Sequence, residues 1–162
     1  MSSSLLKEPR EIDEIVYRFL EISDFEKGFS ECLQQLTEAK FTKSQFIDRY
    51  SELKKQPDTY FIVVAEDLKK KKIIACGTLF VEKKFIRNCG TCGHIEDIVV
   101  DKTYRGKNLG LRIIEQLTHI GKKLGCYKLI LDCSDSNVKF YEKCLFEKKG
   151  VQMSLYLPMS KL

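Results

Sequence analysis

The spacing of apolar positions changes along the chain, and each change marks an element. In residues 25–53 apolar side chains recur three and four apart, as Phe29, Cys32, Leu33 and Leu36 and then as Phe46, Ile47 and Tyr50. This predicts two short helices, the second capped by Thr42. Residues 60–65 and 73–81 are β-branched and aromatic runs joined through Lys69-Lys70-Lys71-Lys72, which predicts a hairpin with a solvated lysine turn. A third run, 94–100, follows the glycine-containing segment 88–93 and completes an antiparallel meander. Ile113, Leu117, Ile120 and Leu124, with Ile114 widening the stripe, predict a helix over 109–124 that Gly125 terminates. Residues 127–133 then read as a buried strand, 137–145 as a short helix, and 151–157, which alternate, as a last strand.

Parallel neighbours need a crossover, so a strand-helix-strand unit appended to a meander gives a mixed sheet. The expected class is α/β (α+β), an antiparallel meander followed by β-α-β-α-β. Residues 1–9 are Ser-rich, end in Pro9 and are expected to be a disordered tail, leaving 10–162 as one domain.

Composition narrows the classes further. At 162 residues, 43% apolar and 31% charged, the chain has the material for one globular core. It carries no apolar run long enough to span a bilayer and begins without a signal-peptide core, so neither a membrane partner nor export is expected. Seven scattered cysteines, an odd number, read as reduced thiols in a cytoplasmic protein. Cys89 and Cys92 have zinc-knuckle spacing, but no second half-site follows and His94 and His119 sit in unrelated patterns, so no metal is expected. The net charge of +5 is modest, and no basic face with interleaved aromatics points to nucleic acid.

Candidate chemistry concentrates in Ile95-Glu96-Asp97-Ile98-Val99-Val100-Asp101 and the following Tyr104-Arg105-Gly106-Lys107-Asn108-Leu109-Gly110. A glycine-containing loop directly before a helix offers free backbone N–H groups and the positive end of the helix dipole to a pyrophosphate. Loop chemistry alone leaves an ordinary strand-helix turn open.

The stretch Arg105 to Gly110 resembles the acyl-coenzyme A motif of the GNAT N-acetyltransferase superfamily. In the motif that this stretch resembles, Asn108 stands in the position of a central glycine; asparagine tolerates positive φ, so the turn survives if the side chain points away from the phosphates. Four ordered blocks narrow the resemblance: Cys92-Gly93-His94-Ile95-Glu96-Asp97-Ile98, Gly125-Cys126-Tyr127-Lys128, Leu131-Asp132-Cys133, and Asn137-Val138-Lys139-Phe140-Tyr141-Glu142-Lys143-Cys144. Together they are similar to the glucosamine 6-phosphate N-acetyltransferase family. The resemblance implies a GNAT fold with helices on both faces of the sheet, acetyl-CoA as acyl donor, no metal, and direct transfer to an amino-sugar phosphate acceptor.

The resemblance also implies roles. Backbone groups at Ile98, Val99 and Val100 align the coenzyme arm, and Arg105, Gly106, Lys107, Asn108, Leu109, Gly110 and Leu111 hold its pyrophosphate. Asn137 and Lys143 also contact the coenzyme, Asn137 capping its helix as well, while Tyr141 faces the coenzyme sulfur as proton donor. Helix core is the competing reading of Tyr141. Glu96 and Asp97 contact the sugar, and the Asp132 main-chain carbonyl holds the attacking amine. Adjacent strand residues point to opposite faces, so a shared role for Glu96 and Asp97 requires a bulge. Otherwise one of the two is simply exposed and the other ion-paired. Thr37, Lys84, Phe85, Ile86, Arg87, Tyr127 and Lys128 complete the implied acceptor contacts. Arg87 replaces a family histidine, and residues 156–162 depart from the family's basic ending. A homodimer with sites near the subunit boundary is implied. Another small-amine or protein acetyltransferase, or a non-catalytic coenzyme-binding module, stays open as the alternative.

Overall fold

The computed structural model describes residues 3–157. The chain divides into two compact units, Met1–Leu131 and Asp132–Leu162. The first is built on a six-stranded sheet in chain order: β1 (Glu11–Ile12), β2 (Ile15–Phe19), β3 (Tyr60–Asp67), β4 (Lys72–Lys83), β5 (Thr91–Val100) and β6 (Cys126–Ile130). All neighbours are antiparallel except β5 and β6, which are parallel and joined through the crossover helix α3 (Leu109–Lys123).

Helices α1 (Phe29–Leu33) and α2 (Lys43–Lys54) cover one face. Their side chains Phe29, Cys32 and Phe46 join Leu20, Val64, Ile73, Cys76 and Val99 in one buried cluster. The Thr42 cap forms as expected, its hydroxyl accepting from the Gln45 amide while the Gln45 side chain accepts from the Thr42 amide. Helix α3 covers the other face with Ile113, Ile114, Leu117 and Ile120, and ends before Gly125 in the left-handed region at φ 72°. The mixed sheet, the meander and helices on both faces agree with the sequence expectation.

Residues 3–9 make contacts of their own, and two readings of the strands are corrected. Leu6 is buried, the Lys7 amide donates to Gln116 Oε1 at 2.8 Å, and Gln116 Nε2 donates back to the Lys7 carbonyl at 2.9 Å. A buried glutamine on α3 thus pairs with the segment as a strand would, which a Ser-rich composition does not reveal. Strand β2 was missed, although Ile15, Tyr17 and Phe19 alternate with Val16 and Arg18. Strand β6, expected to be buried and to run to Cys133, ends at Ile130 and leaves Tyr127 and Ile130 exposed because it is the edge of the sheet.

The second unit, taken alone, holds a 3-10 turn at Asp135–Asn137 and helix α4 (Val138–Lys143). The strand expected over 151–157 does not form, and Val151, Met153 and Leu155 are exposed. Alternating apolar residues specify a strand only where a partner strand supplies hydrogen bonds.

One irregularity organises the first unit. Thr78 pairs with Glu96 and Cys76 pairs with Val99, so two steps on β4 face three on β5. The extra residue is a bulge, with Asp97 in the left-handed region at φ 54°. Opposite it, Gly77 leaves no room: an added Cβ meets Ile98 Cδ1 at 2.4 Å, Ile113 Cγ2 at 2.8 Å and Leu117 Cδ1 at 3.1 Å. Gly77→Ala is expected to destabilise the protein by about 1–3 kcal/mol through overpacking, read as a lower Tm in thermal denaturation. An unchanged Tm would contradict the tight fit of Ile98 against β4.

Candidate active site

The bulge decides where the two carboxylates go. Glu96 lies directly opposite Thr78 and shares its face, the face covered by α1 and α2. Asp97 lines a cavity of about 620 Å³ together with Thr78 and Cys76, on that same face. Regular alternation would have sent Asp97 toward α3. Glu96 and Asp97 are both exposed, while Ile98 turns to α3 and Val99 returns to the buried cluster. The cavity wall also includes the aromatic residues Phe41, Phe46, Tyr50 and Tyr60, aliphatic side chains such as Leu33 and Ile62, and the polar α2 residues Gln45, Asp48, Arg49 and Glu52. Sequence reasoning missed this wall, since Phe46 and Tyr50 read equally well as helix core.

Strands β5 and β6 pair only over four positions, the last being His94 with Ile130. Ile98, Val99 and Val100 lie beyond that ladder, with Val99 and Val100 still paired to β4. Their β6-facing edge is the splayed edge at which a ligand's amide groups can be aligned.

After β5, the chain makes a 3-10 turn at Lys102–Tyr104 and then the loop into α3. Gly106 is at φ 83° with open space where a Cβ would be, and Asn108 is left-handed at φ 58°, ψ 18° as the helix N-cap. The expected left-handed turn at Asn108 is therefore observed. Its side chain makes no capping bond, so the first-turn amides, those of Leu109, Gly110 and Leu111, gain no partner from it. Lys107 Nζ lies 5.2 Å over the Tyr104 ring. A loop of this form suits an anionic pyrophosphate.

The segment 84–90 is strained. Arg87, Asn88 and Cys89 lie consecutively at φ 57°, 54° and 57°, forming a left-handed turn closed by bonds from the Cys89 amide to the Phe85 carbonyl and from the Gly90 amide to the Ile86 carbonyl. For L-residues this conformation costs roughly 1–2 kcal/mol each, and such strain gathers at ligand-binding segments. Phe85 is 95% exposed and Ile86 62%. Lys84 Nζ pairs with Glu82 at 2.6 Å. The Tyr127 ring reaches the same turn, within 3.1 Å of the position a Cβ on Gly90 would take, and Lys128 Nζ lies 5.8 Å from that ring. Lys84, Phe85, Ile86, Arg87, Tyr127 and Lys128 are thereby gathered at one end of β4–β5–β6. Thr37 is exposed just beyond α1.

In the second unit, Tyr141 is half-buried, its ring edge-on to Phe140 at 5.0 Å and to Phe146 at 6.3 Å. The amides of Cys144 and Phe146 both donate to the Tyr141 carbonyl, so backbone and ring are held together. Asn137 precedes α4 without making the capping bond expected of its side chain, which is a correction. Its φ of −96° and ψ of −7° are already helical, whereas a capping residue adopts extended backbone. Lys143 lies in the last turn of α4, and Asp132 is exposed at the start of the unit.

Comparison with known proteins gives this geometry a context. The sequence profile of the acetyltransferase (GNAT) family matches residues 20–146. Glucosamine 6-phosphate N-acetyltransferase 1 of Dictyostelium discoideum is 75% identical over 90% of this chain and 93% of its own length. The Arabidopsis thaliana glucosamine 6-phosphate N-acetyltransferase is 50% identical over 86% of this chain and 94% of its own. A crystal structure of the Arabidopsis thaliana glucosamine-6-phosphate N-acetyltransferase superposes with a TM-score of 0.87 at 48% identity, covering 89% of this chain and 99% of that one. The chain belongs to the glucosamine 6-phosphate N-acetyltransferase family of GNAT acetyltransferases.

GNAT acetyltransferases use acetyl-CoA, and the loop that precedes α3 is positioned by residues that sequence reasoning passed over. Asp101, 2% exposed, accepts from Lys72 Nζ at 2.7 Å and from both the amide and the hydroxyl of Thr103. The Lys102 amide donates to Gln35 Oε1, tying the turn to the end of α1, and the Tyr104 hydroxyl donates to Asp67 at 2.6 Å. Burial pushes the Asp101 carboxyl up, but the bonds from Lys72, Thr103 and Gln35 outweigh it and hold it well below the usual carboxylate range. A carboxyl depressed on folding stabilises fully above its unfolded value of about 3.9 and loses that contribution as pH falls.

Asp101→Asn is therefore expected to lower Tm markedly at pH 7, with the gap to wild type narrowing below about pH 4, where the wild-type contribution is being titrated away. A gap of constant size across that range would show that charge is not what anchors the turn. For the loop itself, Asn108→Gly should keep or tighten coenzyme binding and Asn108→Val should weaken it, because a β-branched residue is penalised at positive φ. Calorimetric titration with coenzyme A distinguishes the three proteins, and equal dissociation constants would separate this backbone conformation from binding.

Proposed function

We propose that this chain transfers the acetyl group of acetyl-CoA to the 2-amino group of glucosamine 6-phosphate, giving N-acetylglucosamine 6-phosphate for UDP-N-acetylglucosamine synthesis. The observation that carries the reading is the bulge at Asp97, which turns Glu96 and Asp97 to one face beside the splayed edge of β5. Acetyl-CoA supplies an electrophilic thioester; the rest is the work of this chain's own residues. In this reading the amides of residues 105–111 hold the pyrophosphate with Arg105 and Lys107, and Asn137 and Lys143 add contacts to the coenzyme. Ile98, Val99 and Val100 align the coenzyme arm with their main chain.

Glu96 and Asp97 orient the sugar, and the Asp132 carbonyl accepts from the neutral amine so that its lone pair faces the thioester carbon. A nitrogen–carbon bond forms as the carbon–sulfur bond breaks; Tyr141 gives its hydroxyl proton to the departing thiolate, and the proton lost from the amine passes to solvent, from which Tyr141 is reprotonated. Lys84, Arg87 and Lys128 supply cations suited to the acceptor phosphate, with Thr37, Phe85, Ile86 and Tyr127 around it. The reading uses no metal and no acyl-enzyme.

The reading includes a homodimer with sites near the subunit boundary, in the cytoplasm and without a nucleic-acid or membrane partner. Two observations support the dimer: Val151, Met153 and Leu155 alternate along an exposed segment, each at least 85% exposed, and Phe85 projects from the strained turn. Among the described residues, no helix is long and apolar enough to cross a membrane.

A thiol-release assay across a panel of amines tests the acceptor. Glucosamine 6-phosphate is expected to exceed glucosamine and a lysine peptide in kcat/KM, and parity among the three would overturn the assignment. Tyr141→Phe is expected to lower the single-turnover rate by about 10²–10⁴-fold with coenzyme affinity nearly unchanged. A variant as fast as wild type would remove the proton-donor role.

A further inference from the structure

Beside the acceptor-side residues, β4 and β5 bring together three side chains that the reaction does not use. Glu82 and Cys92 are directly opposed across the ladder, and His94 lies two residues beyond Cys92 on the same face. The carboxylate, thiol and imidazole ligand atoms all lie within 4.8 Å of one another. His94 Nε2 is 3.0 Å from Glu82 Oε2. The Phe80 ring meets the imidazole edge-on at 5.5 Å and fixes one side of it. Cys92 is buried, and Glu82 and His94 are partly exposed, so the cluster has a closed floor and an open mouth.

We propose that Glu82, Cys92 and His94 form a binding site for a divalent cation of the zinc class. Thiolate, imidazole and carboxylate are the donor types zinc takes, and three of them leave a fourth position for water. Two donors about 2.0–2.1 Å from a tetrahedral ion are about 3.3 Å apart, so the His94–Glu82 contact needs to open by only a few tenths of an ångström to admit the ion. Two anionic ligands and one neutral one compensate a dication, the Cys92 proton passing to solvent on binding. The pairing is not the one that spacing drew attention to: Cys89 is exposed in the left-handed turn and is not part of the cluster, whereas Glu82 comes from the neighbouring strand. The expectation of no metal rested on Cys-x-x-Cys spacing along the chain, whereas this cluster forms across two strands.

The site has a consequence for the acceptor side, which rests on the reading under Proposed function. Glu82 now holds Lys84 through Oε1 and His94 through Oε2. A cation that takes Glu82 releases Lys84 from its ion pair, and Lys84 is one of the cations assigned to the acceptor phosphate. Occupancy should therefore shift KM for the acceptor while leaving coenzyme affinity unchanged.

Binding is tested on the purified full-length protein kept reduced with a phosphine, by zinc titration against a chromophoric chelator and by cobalt(II) spectroscopy. One ion per chain is expected, with thiolate-to-cobalt charge transfer and tetrahedral ligand-field bands. Glu82→Gln and His94→Gln should each weaken binding by at least about tenfold, the order found for disturbed metal sites, and Cys92→Ser should abolish the charge-transfer band. Cys89→Ser and Cys133→Ser, at exposed thiols, should leave both intact. Circular dichroism establishes that each variant is folded, and Glu82→Gln, at a partly exposed position, carries the test if Cys92→Ser does not fold. Absence of stoichiometric binding, or binding that survives in His94→Gln and Glu82→Gln but is lost in the exposed-thiol variants, overturns the proposal. A metal-dependent acceptor KM in wild type, absent in His94→Gln, supports the link to Lys84. Stoichiometric binding with an unchanged KM would confirm the site and overturn that link alone.

Discussion

The site depends on one extra residue in β5. A strand that kept its register from Thr91 to Val100 would place Glu96 and Asp97 on opposite faces and would set Ile98 on the cavity face in place of Asp97. The bulge re-aims three side chains at once: Asp97 to the cavity, Ile98 against Gly77 and α3, and Val99 into the cluster under α1. Each is fixed by something already rigid. The left-handed backbone at Asp97 is thus held from both sides of the sheet, which is how a locally unfavourable conformation persists.

Buried charge fastens the elements that frame this strand. Arg18 on β2 makes a bidentate pair with fully buried Asp24 and also bonds Glu66 on β3, and Lys27 reaches the same Glu66. Burial raises the Glu66 pKa, yet its bonds to Lys27 and Arg18 pull it below the usual range. Two cations and two anions leave no net charge in the interior. Such a quartet is not evidence of large net stability, but loss of one member would leave a buried charge uncompensated. It fixes the chain that runs from β2 to α1, while Asp101 does the same for the chain that runs from β5 to the loop before α3. The first of these segments lines the cavity through Leu20 and Phe29.

Some of the non-glycine positive φ values fall where function was expected, while others, at Asp13, Glu14, Lys71 and Leu145, do not. Asp97, Asn108 and the run Arg87-Asn88-Cys89 are all left-handed, and none is glycine. At Asn108 the residue type announced the conformation, because asparagine tolerates it. At Arg87 and Cys89 nothing in the residue type does; the turn exists because β4 and β5 end there and must be joined within a few residues.

The sequence by itself determined the order and type of most elements, since each is set by local periodicity: Thr42 starts α2, Gly125 stops α3, and the lysine turn closes β3 onto β4. The bulge was implied only through the family resemblance, which gives the neighbouring carboxylates Glu96 and Asp97 a shared role that a regular strand cannot provide. Only the tertiary structure decided what depends on partners distant in the chain. Lys7 finds its backbone partner in Gln116, 109 residues away, and Asp101 is an anchor because Lys72 lies beside it. Glu82 joins Cys92 and His94 because register, not spacing, makes them neighbours. Residues 151–157 have a strand's pattern without a strand's ladder, because hydrogen bonds between strands need a second strand and alternation cannot supply one.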